Sequence, residues 1–501
     1  MKKIFMFIGS IGLNRAGMTN AMYYRSKNLY DSGIPADIIT FDYSEKPYSY
    51  LLEEIRKQGK MSLKTNHINI FDHIQLISEK NDSKLNTMFN KSEFSFSSVE
   101  KILEKNHILP DGENKTRYFD KSTGDFSYLK MQQSDEEMYI DVFERNKKIK
   151  RYCYYNNQLR KCINFNELAQ PVSEIMFNGN ELPYMQRGIH PHNGHPGWYF
   201  IFPYNKHFKN LSEVSSHVLS EIIKDEEDIT VICDGPGSFN KLLAMEHTKI
   251  KKAIYIHTNH FEPPYNLGAL VKKDHQYILD NASKVDYLVT PTNSQKRDIS
   301  KEYPLINTIT IPNYINLYNG PCEKDFTKNS FGVVCRLVEM KGIQDIISAM
   351  PYVLKEIPDA CFEIYGEGPF KDNLVKQAEE LNVSDNVLFH GYRSDLQTIF
   401  DGILFSISSS EYEGFGLSIA ESLTYKTPVI AYDVNYGPSD LIKNDETGFL
   451  ITHGNINEMA EKIIFLFNNK DKLKTMSGDA QIDINSRYSK KNISNLWQEI
   501  L

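Results

Sequence analysis

Glu413-Gly-Phe-Gly-Leu-Ser-Ile-Ala-Glu421 is the stretch of this 501-residue sequence that decides the fold. It places two carboxylates eight residues apart, around a glycine-bearing loop that runs into a predicted helix. The start of a helix offers free backbone N–H groups and the positive end of the helix dipole, which suit an anion such as a phosphate. The two carboxylates suit hydroxyl groups, because an ionised carboxylate accepts hydrogen bonds.

Two cations lie upstream of this stretch. Arg336 and Lys341 stand at and just after the carboxyl end of the predicted strand 331–335, which is the end where open α/β sheets bind ligands. Arginine gives phosphate oxygens a fixed fork of donors, and lysine gives them a mobile charge. Taken alone, these cations could be a solvated pair in a loop, and Glu413 and Glu421 a loop carboxylate and a first-turn helix acid. Together they predict a site for a sugar joined to a diphosphate.

This combination resembles the retaining, nucleotide-sugar-dependent glycosyltransferases of the GT-B fold, family GT4. The resemblance implies that Glu413 binds hydroxyls of the donor sugar and that Glu421 binds the ribose. As UDP leaves, negative charge grows on the β-phosphate, and Arg336 and Lys341 are expected to stabilise it. No partner carboxylate for a covalent intermediate is evident in the sequence, so we expect a same-face reaction assisted by the leaving phosphate.

Further residues are expected at the donor site. Gly17 lies in the first strand-to-helix loop and would let backbone amides approach the phosphates; a simple tight turn is the alternative. His257 ends the predicted strand 253–257, and the resemblance places a histidine of such a strand end near donor sugar and acceptor. By itself, a histidine there is more often a hydrogen-bonded structural residue. Backbone N–H groups that follow Glu413 complete the set: Phe415, Gly416 and Leu417.

The fold class expected is α/β, with a GT-B architecture of two Rossmann-like domains facing across a cleft and an inserted antiparallel β-sheet domain. Apolar strands alternate with helical patterns at both ends of the chain, which indicates parallel sheets. Between about 76 and 210, short aromatic or β-branched runs with no helical period alternate with turn signals such as Asn156-Asn157. The predicted ranges are 1–75 and 211–311 for the N-terminal acceptor domain, 76–210 for the β-rich oligomerisation domain, 312–483 for the nucleotide-sugar domain, and 484–501 for a C-terminal helix that returns to the first domain.

Composition narrows the class of protein. A length of 501 residues predicts two to three domains, and a net charge of −8 gives no overall basic field for a polyanion. The six cysteines are scattered without a CxxC pair, which fits a reducing cytoplasm; Cys233 and Cys335 are expected to be buried apolar residues. The apolar start is interpreted as a first β-strand rather than a signal peptide, and no run of 18 apolar residues predicts a membrane span.

No cofactor is expected. No Asp-x-Asp follows an apolar strand, and the loop of Gly17 lacks a full G-x-G-x-x-G, so neither a metal-diphosphate site nor a dinucleotide site is predicted. Arg336, Lys341 and a helix dipole would neutralise the diphosphate instead, and the reaction is expected to be metal-independent.

Several blocks narrow the resemblance to the bacterial wall teichoic acid α-glycosyltransferases of the TarM/TagE type. The resemblance runs nearly end to end and implies transfer of GlcNAc or glucose from a UDP-sugar to hydroxyls of poly(ribitol- or glycerol-phosphate), with retention. It also implies a role in cell wall biogenesis and a homotrimer built through the inserted β-domain. The blocks include Pro35-Ala-Asp-Ile-Ile-Thr-Phe-Asp-Tyr43, Cys233-Asp-Gly-Pro-Gly-Ser-Phe239, Ile364-Tyr-Gly-Glu-Gly368 and Tyr436-Gly-Pro-Ser-Asp440.

A polymer with one negative charge per unit needs a cationic track. The tight basic cluster of the β-domain is the candidate, together with Arg160-Lys161; an edge-strand face protected by lysines is the alternative. The cluster consists of Lys147, Lys148, Lys150 and Arg151. Because such a polymer is in the cytoplasm before its export, a cytoplasmic enzyme, peripheral at the inner membrane face at most, is expected.

Three other functions remain open at this stage. A protein O-glycosyltransferase of serine-rich adhesins would share the chemistry and a similar inserted domain. A non-catalytic glycosyltransferase-like partner subunit could lose its donor residues, but Arg336, Lys341, Glu413 and Glu421 are all present. A scaffold built through the sheet would leave the donor motif unexplained. The sequence separates neither GlcNAc from glucose nor ribitol from glycerol.

Overall fold

Three β-sheets organise the protein, which we describe from a computed structural model. The structure describes residues 2–13, 17–44, 46–88, 95–245 and 250–501. Two of the sheets are entirely parallel, with seven and six strands, and the third is an antiparallel sheet of ten strands. The predicted α/β fold class with an inserted antiparallel sheet is confirmed.

The first parallel sheet begins at the N-terminus. β1 is buried almost along its whole length, which is typical of a strand covered by helices on both faces of a parallel sheet. The chain then leaves this sheet through a helix and returns to it after residue 210. The elements before the departure are β1 (Lys3–Ile8), α1 (Met18–Asp31), β2 (Ala36–Thr40), α2 (Tyr48–Lys57), β3 (His67–Asn69) and α3 (Ile70–Lys80).

The inserted segment is a meander in which consecutive strands pair. Its strand order follows the chain from β4 to β13, and Asn156 and Asn157 have the positive φ angles, 48° and 58°, of a tight hairpin turn. Its elements are α4 (Asp82–Met88), α5 (Phe96–Glu104), β4 (His107–Pro110), β5 (Lys115–Phe119), β6 (Phe126–Gln132), β7 (Glu137–Glu144), β8 (Lys147–Tyr155), β9 (Gln158–Phe165), β10 (Pro171–Phe177), β11 (Pro183–Ile189), β12 (Pro196–Ile201) and β13 (Lys206–Phe208).

The prediction that residues from 76 onward lack helical structure is wrong for the first part of the segment. The remainder of α3, α4 and α5 precede the first strand of the meander. Ser95 caps α5 through Ser98, and Val99 and Leu103, four residues apart, pack against the antiparallel sheet. This four-residue spacing is typical of a helix, but the segment was interpreted as β-structure because of its aromatic residues.

The first sheet resumes after the insertion and reaches seven strands in the order β17-β16-β15-β14-β1-β2-β3. The predicted strand 253–257 ends early, because β15 stops at Tyr255 and His257 lies in the loop beyond it. The resumed elements are α6 (Leu211–Ile223), β14 (Ile229–Asp234), α7 (Phe239–Leu243), β15 (Ile250–Tyr255), α8 (Lys273–Asn281), β16 (Tyr287–Thr290), α9 (Asn293–Glu302) and β17 (Thr308–Thr310).

The second parallel sheet has the order β20-β19-β18-β21-β22-β23, the arrangement of a dinucleotide-fold half. Its shortest strand, β21, covers only Ser406–Ser408. The elements are β18 (Ser330–Val334), α10 (Ile343–Glu356), β19 (Cys361–Tyr365), α11 (Lys371–Glu380), β20 (Val387–Gly391), α12 (Leu396–Gly402), β21 (Ser406–Ser408), α13 (Leu417–Thr424), β22 (Val429–Tyr432), α14 (Pro438–Leu441), β23 (Gly448–Ile451), α15 (Ile456–Asn468), α16 (Lys470–Arg487) and α17 (Lys490–Ile500).

The last helix, α17, packs against the first sheet rather than the second. The Ser494 hydroxyl lies 3.0 Å from the hydroxyls of Ser32 and Tyr314, and the Lys2 ammonium donates to the Leu501 carbonyl at 2.8 Å. One apolar cluster therefore contains residues of β1, α1, α13 and α17 and holds the two parallel sheets together. Within the described ranges, no helix has the length and apolar content needed to cross a bilayer.

Candidate active site

Both parallel sheets reverse their strand order at one point, and the predicted site residues lie at these two points. In the second sheet the reversal falls between β18 and β21. Arg336 and Lys341 follow β18, and Glu413 follows β21, so neighbouring strands deliver all three to one crevice. In the first sheet the reversal falls between β1 and β14, where Gly17 follows β1. Ligands of doubly wound sheets bind in such crevices.

Lys341 and Glu413 are in direct contact. The Lys341 ammonium donates to Glu413 Oε1 at 2.5 Å, and the Ser410 hydroxyl donates to the same oxygen at 2.8 Å. Gly342 makes this contact possible: its φ is +64°, and a Cβ there would lie 1.9 Å from the Ser409 carbonyl oxygen. Because Lys341 uses one of its three N–H donors on Glu413, two N–H groups remain for a ligand.

Arg336 lies in the loop after β18, and the backbone of another loop packs against it. The loop after β19 packs flat against it, since a Cβ on Gly366 would lie 1.8 Å from the Cys335 carbonyl oxygen and a Cβ on Gly368 2.2 Å from that of Leu337. The Arg336 side chain is exposed, and no hydrogen bond or ion pair to its guanidinium occurs among the described residues. A phosphate could therefore take the whole guanidinium fork.

The N-terminus of α13 supplies backbone donors next to these side chains. The helix begins after Gly416, whose φ is +88°, and no side chain of the described chain caps it. Phe415 is buried, so only its main chain is available to a ligand. Gly437 clamps that main chain, because a Cβ there would lie 2.0 Å from the Phe415 carbonyl oxygen. The backbone from Phe415 to Leu417 is thus fixed and open to an anion.

Glu421 lies on the second turn of α13, not on the first, so the alternative of a first-turn acid stabilised by the helix dipole is wrong. Burial raises the pKa of its carboxyl to about 7. Burial, and after it this carboxyl, raises the pKa of Tyr24 from α1; burial, Tyr318 and then this carboxyl raise the pKa of Tyr425 to about 12. A carboxyl poised between its two forms can be stabilised as the anion by two ribose hydroxyls.

We expect the affinity for a UDP-sugar to fall about tenfold for each pH unit below 7. Only the ionised Glu421 accepts from both ribose hydroxyls, so binding favours the anion and releases a proton wherever the free carboxyl is protonated. Calorimetric titration between pH 5.5 and 8.5 measures this effect. Glu421→Gln should bind more weakly and show no such slope. A pH-independent affinity in the unaltered protein would remove Glu421 from the ribose site.

His257 belongs to the opposite wall of the cleft. Its Nε2 lies 2.6 Å from Asp234 Oδ1, and the Arg25 guanidinium donates to the other oxygen of Asp234. Burial lowers the pKa of His257 and prevails over the opposite effect of Asp234. Burial would raise the pKa of Asp234, but Arg25 and His257 outweigh it and hold that pKa below its ordinary value. The imidazole is thus neutral at neutral pH.

The two walls touch where His257 faces the loop of Glu413. A Cβ on Gly414 would lie 1.9 Å from the His257 carbonyl oxygen, and the Asn259 amide donates to the Asn435 carbonyl at 3.0 Å. Asn435 in turn accepts from the Glu413 N–H at 3.2 Å. The structure therefore brings the backbone of His257 against Gly414, the neighbour of Glu413, where the two parallel sheets meet.

Gly17 lies at the start of α1 with a φ of +63°. Apart from its chain neighbours, no described atom lies within 4 Å of the place its Cβ would occupy, so the positive φ is the reason for glycine among the described residues. The neighbouring Met18, like Leu417 of α13, packs against the apolar cluster that joins the two parallel sheets. The preceding residues of the predicted loop, Arg15 and Ala16, lie outside the described residues.

The basic cluster of the β-domain is partly neutralised, since two carboxylates, Asp141 and Glu167, pair with its cations. Arg151 makes two hydrogen bonds of 2.6 and 2.8 Å to Asp141, and Lys148 lies 3.2 Å from the same carboxylate. Lys147 pairs at 3.6 Å with Glu167. The role of this cluster and of Lys150 as an acceptor track stays a prediction, and the pairing reduces the charge available to it.

Sequence reasoning missed Arg25 and Asp234 behind His257, and Asn435 beside Glu413. Asp234 ends β14 inside the block Cys233–Phe239, so its position at a strand end was a usable signal. Arg25 offered none, because its partner lies 209 positions away in the chain. Cys233 is buried as expected, whereas Cys335 is only partly buried. No group of three potential metal ligands is present among the described side chains.

Comparisons with known proteins identify relatives of this chain in sequence and in fold. Residues 322–482 match the sequence model of the family described as glycosyl transferases group 1. The chain is 35% identical over 499 residues, 99% of both chains, to the poly(ribitol-phosphate) alpha-N-acetylglucosaminyltransferase of Staphylococcus aureus. A 25% identity over 60% of this chain and 62% of the relative links it to the GtfA subunit of a UDP-N-acetylglucosamine–peptide N-acetylglucosaminyltransferase of Streptococcus gordonii. Its fold matches the crystal structure of an S. aureus TarM G117R mutant in complex with fondaparinux, alpha-GlcNAc-glycerol and UDP, with a TM-score of 0.88, 33% identity and coverage of 100% and 99%. The predicted GT-B architecture is confirmed.

Proposed function

This chain belongs to the family of the wall teichoic acid α-glycosyltransferases, and from that premise we propose that it transfers N-acetylglucosamine from UDP-GlcNAc to hydroxyls of poly(ribitol-phosphate), with retention. The identity of 35% to a transferase with this substrate, over nearly all of both chains, supports the choice of donor and acceptor. Glucose as the sugar and glycerol phosphate as the polymer unit are the alternatives that the experiment below distinguishes.

The observation that carries the proposal is the contact between Lys341 and Glu413 opposite His257. The Lys341 ammonium keeps two N–H donors beside the Glu413 carboxylate, and the backbone of His257 lies against the adjacent Gly414. Beside them lie the open backbone of α13 and the exposed Arg336. A diphosphate meets the cations and N–H groups, and a sugar meets the carboxylate and the imidazole.

The residues suggest how the reaction proceeds. Arg336, Lys341 and the α13 N-terminus stabilise the charge that builds on the leaving β-phosphate, which lowers the barrier to breaking the sugar–oxygen bond. Glu413 accepts hydrogen bonds from the donor sugar and fixes its orientation. Asp234 is buried and bonded to both Arg25 and His257, so it is not free to act as a nucleophile. Attack of the acceptor hydroxyl on the face left by UDP is the step that we propose, with the leaving phosphate taking its proton.

The purified protein should release UDP from UDP-GlcNAc in the presence of poly(ribitol-phosphate). Four parallel reactions pair UDP-GlcNAc or UDP-glucose with ribitol or glycerol polymer, and a fifth offers UDP-GlcNAc with a serine-rich peptide. NMR of the product gives the anomeric configuration, which should be α. Transfer to the peptide and to neither polymer would contradict the proposed acceptor and favour the protein O-glycosyltransferase. An inverted product would contradict the same-face step.

The rival functions have weaker support. The peptide transferase relative is 25% identical and matches only 60% of this chain. A non-catalytic partner subunit has no need of the contacts that Lys341, Glu413 and Ser410 make in this cleft.

We also propose that the reaction needs no divalent metal. The cations and the helix start already supply positive charge where a metal would otherwise sit. Transfer rates should be equal, within error, in excess EDTA and in Mg²⁺ after dialysis against a chelator. A loss of turnover in EDTA that Mg²⁺ or Mn²⁺ restores would overturn this part of the proposal.

We propose that the chain belongs to family GT4. We also propose that it assembles as a homotrimer through the inserted sheet. The exposed edge strand β4 supports self-association, since Ile108 and Leu109 are 59% and 53% exposed there. Light scattering coupled to gel filtration should give a mass near three times 57.9 kDa. Because the polymer is completed before export, we place the reaction in the cytoplasm, at most peripheral at the inner face of the membrane.

A further inference from the structure

A buried row of three side chains leads from α1 to the cleft. It consists of Arg25, Asp234 and His257, whose side chains are 2%, 0% and 5% exposed. Asp234 stands in the middle, with one oxygen bonded to each neighbour. A helix, a strand end and a loop that are far apart in sequence therefore meet at the histidine of the site.

An aromatic cage holds the far end of this row. The Arg25 guanidinium lies 5.2 Å from the ring of Tyr255 and 5.1 Å from the ring of Trp497, and its Nε lies 3.2 Å from the sulfur of Met6. Trp497 comes from α17, so the end of the chain closes the cage. A guanidinium between two rings is fixed in place and attracted to their faces, and it fixes Asp234 in turn.

The row determines which nitrogen of His257 carries the proton. Asp234 is ionised and has no proton to give, so the short contact at Nε2 requires the N–H on that nitrogen. Nδ1 then carries a lone pair, and it has no hydrogen-bond partner among the described residues and is not one of their fully buried polar atoms. His257, whose backbone carbonyl lies against Gly414, can therefore accept a hydrogen bond through Nδ1 from a hydroxyl that enters the cleft.

We infer that Asp234 and Arg25 are positioning residues that fix His257 in the tautomer whose Nδ1 accepts a hydrogen bond from a substrate hydroxyl. This inference rests on the proposed function, because it assigns a task to His257 within that site. Loss of the orienting carboxylate lets the other tautomer form, which turns the acceptor in the cleft into a donor. The last helix, α17, contributes to this positioning through Trp497, which contacts Arg25 and no substrate.

Asp234→Asn tests the inference, since the amide is isosteric and can donate to Nε2. Alone, it leaves Arg25 as an unpaired buried cation and endangers the fold. Arg25→Met/Asp234→Asn removes the cation as well, and a methionine suits the cage of Tyr255 and Trp497. We expect kcat for transfer to fall about 10- to 100-fold in the double variant, with UDP affinity unchanged. Nitrogen-15 NMR of labelled histidine should show the Nε2–H tautomer of His257 in the unaltered protein and its loss in the variant.

Two further variants separate the possible failures. Asp37→Asn is the matched control: Asp37 is also buried in the first sheet, but it stands near the opposite end of β2, bonded to Tyr30 and Asn66, and its loss should leave kcat unchanged. His257→Ala tests the site itself, and full activity of that variant would contradict the proposed role of His257. If His257→Ala is impaired while the double variant keeps both the wild-type kcat and the Nε2–H signal, the positioning role is overturned and the site stands.

Discussion

Replacing Lys341 by Ala is expected to lower kcat for transfer by about 10²- to 10³-fold, with a smaller effect on UDP-sugar affinity. The Lys341 ammonium already contacts Glu413 at 2.5 Å and keeps two N–H donors for the β-phosphate. Charge on that phosphate is greater in the transition state than in the bound donor, so the lost interaction is mainly one of the transition state. Steady-state kinetics with both substrates varied measures kcat and KM separately.

Two comparisons show whether the loss arises from chemistry. Lys376→Ala is the matched control, because Lys376 also forms an ion pair, at 3.5 Å with Glu380, on an exposed helix face away from the cleft. It should leave kcat unchanged. Denaturant unfolding of Lys341→Ala should show a loss of at most about 3 kcal/mol, since Glu413 keeps its hydrogen bond from Ser410. Normal turnover in Lys341→Ala would remove Lys341 from the proposed site.

The second-sheet half of the site was predictable because its signals are local. Arg336 and Lys341 stand within seven residues of the end of β18, and Glu413 and Glu421 bracket one loop. Strand ends, glycines and helix starts are properties of short windows, and sequence patterns report them well. The contact between Lys341 and Glu413 was not predicted; it arises because β18 and β21 are neighbours in the sheet.

The first-sheet half was only partly predictable because its contacts are non-local. His257 was placed near the site, but Arg25 and Asp234 became its neighbours only through the pairing of β1 with β14 and β14 with β15. The burial of a side chain is also non-local, because it depends on residues that are distant in the sequence. Glu421 was identified by position, whereas its pKa of about 7 depends on the surroundings that α1 and α13 create together.

Gly414 is the position where the two halves of the site depend on each other most directly. Its backbone passes so close to the first sheet that a Cβ would lie 1.9 Å from the His257 carbonyl oxygen and 2.9 Å from the Thr258 Cα. Both of these are backbone atoms, so no side-chain rotation can relieve the clash. An added methyl group must push the loop of Glu413 away from His257.

Gly414→Ala is therefore expected to lower kcat about 10²-fold, because a displacement of about 1 Å between reacting groups has an effect of this size. UDP affinity, measured by calorimetry, should change little, since Arg336, Lys341 and the α13 N-terminus all belong to the second sheet. Gly478→Ala is the matched control. Gly478 lies within α16, and apart from its own helix backbone no described atom lies within 4 Å of its Cβ position, so this change should stabilise the helix by up to about 1 kcal/mol without altering kcat. Wild-type transfer by Gly414→Ala would mean that the reaction does not require contact between His257 and the loop of Glu413. That result would contradict the proposed site between the two sheets.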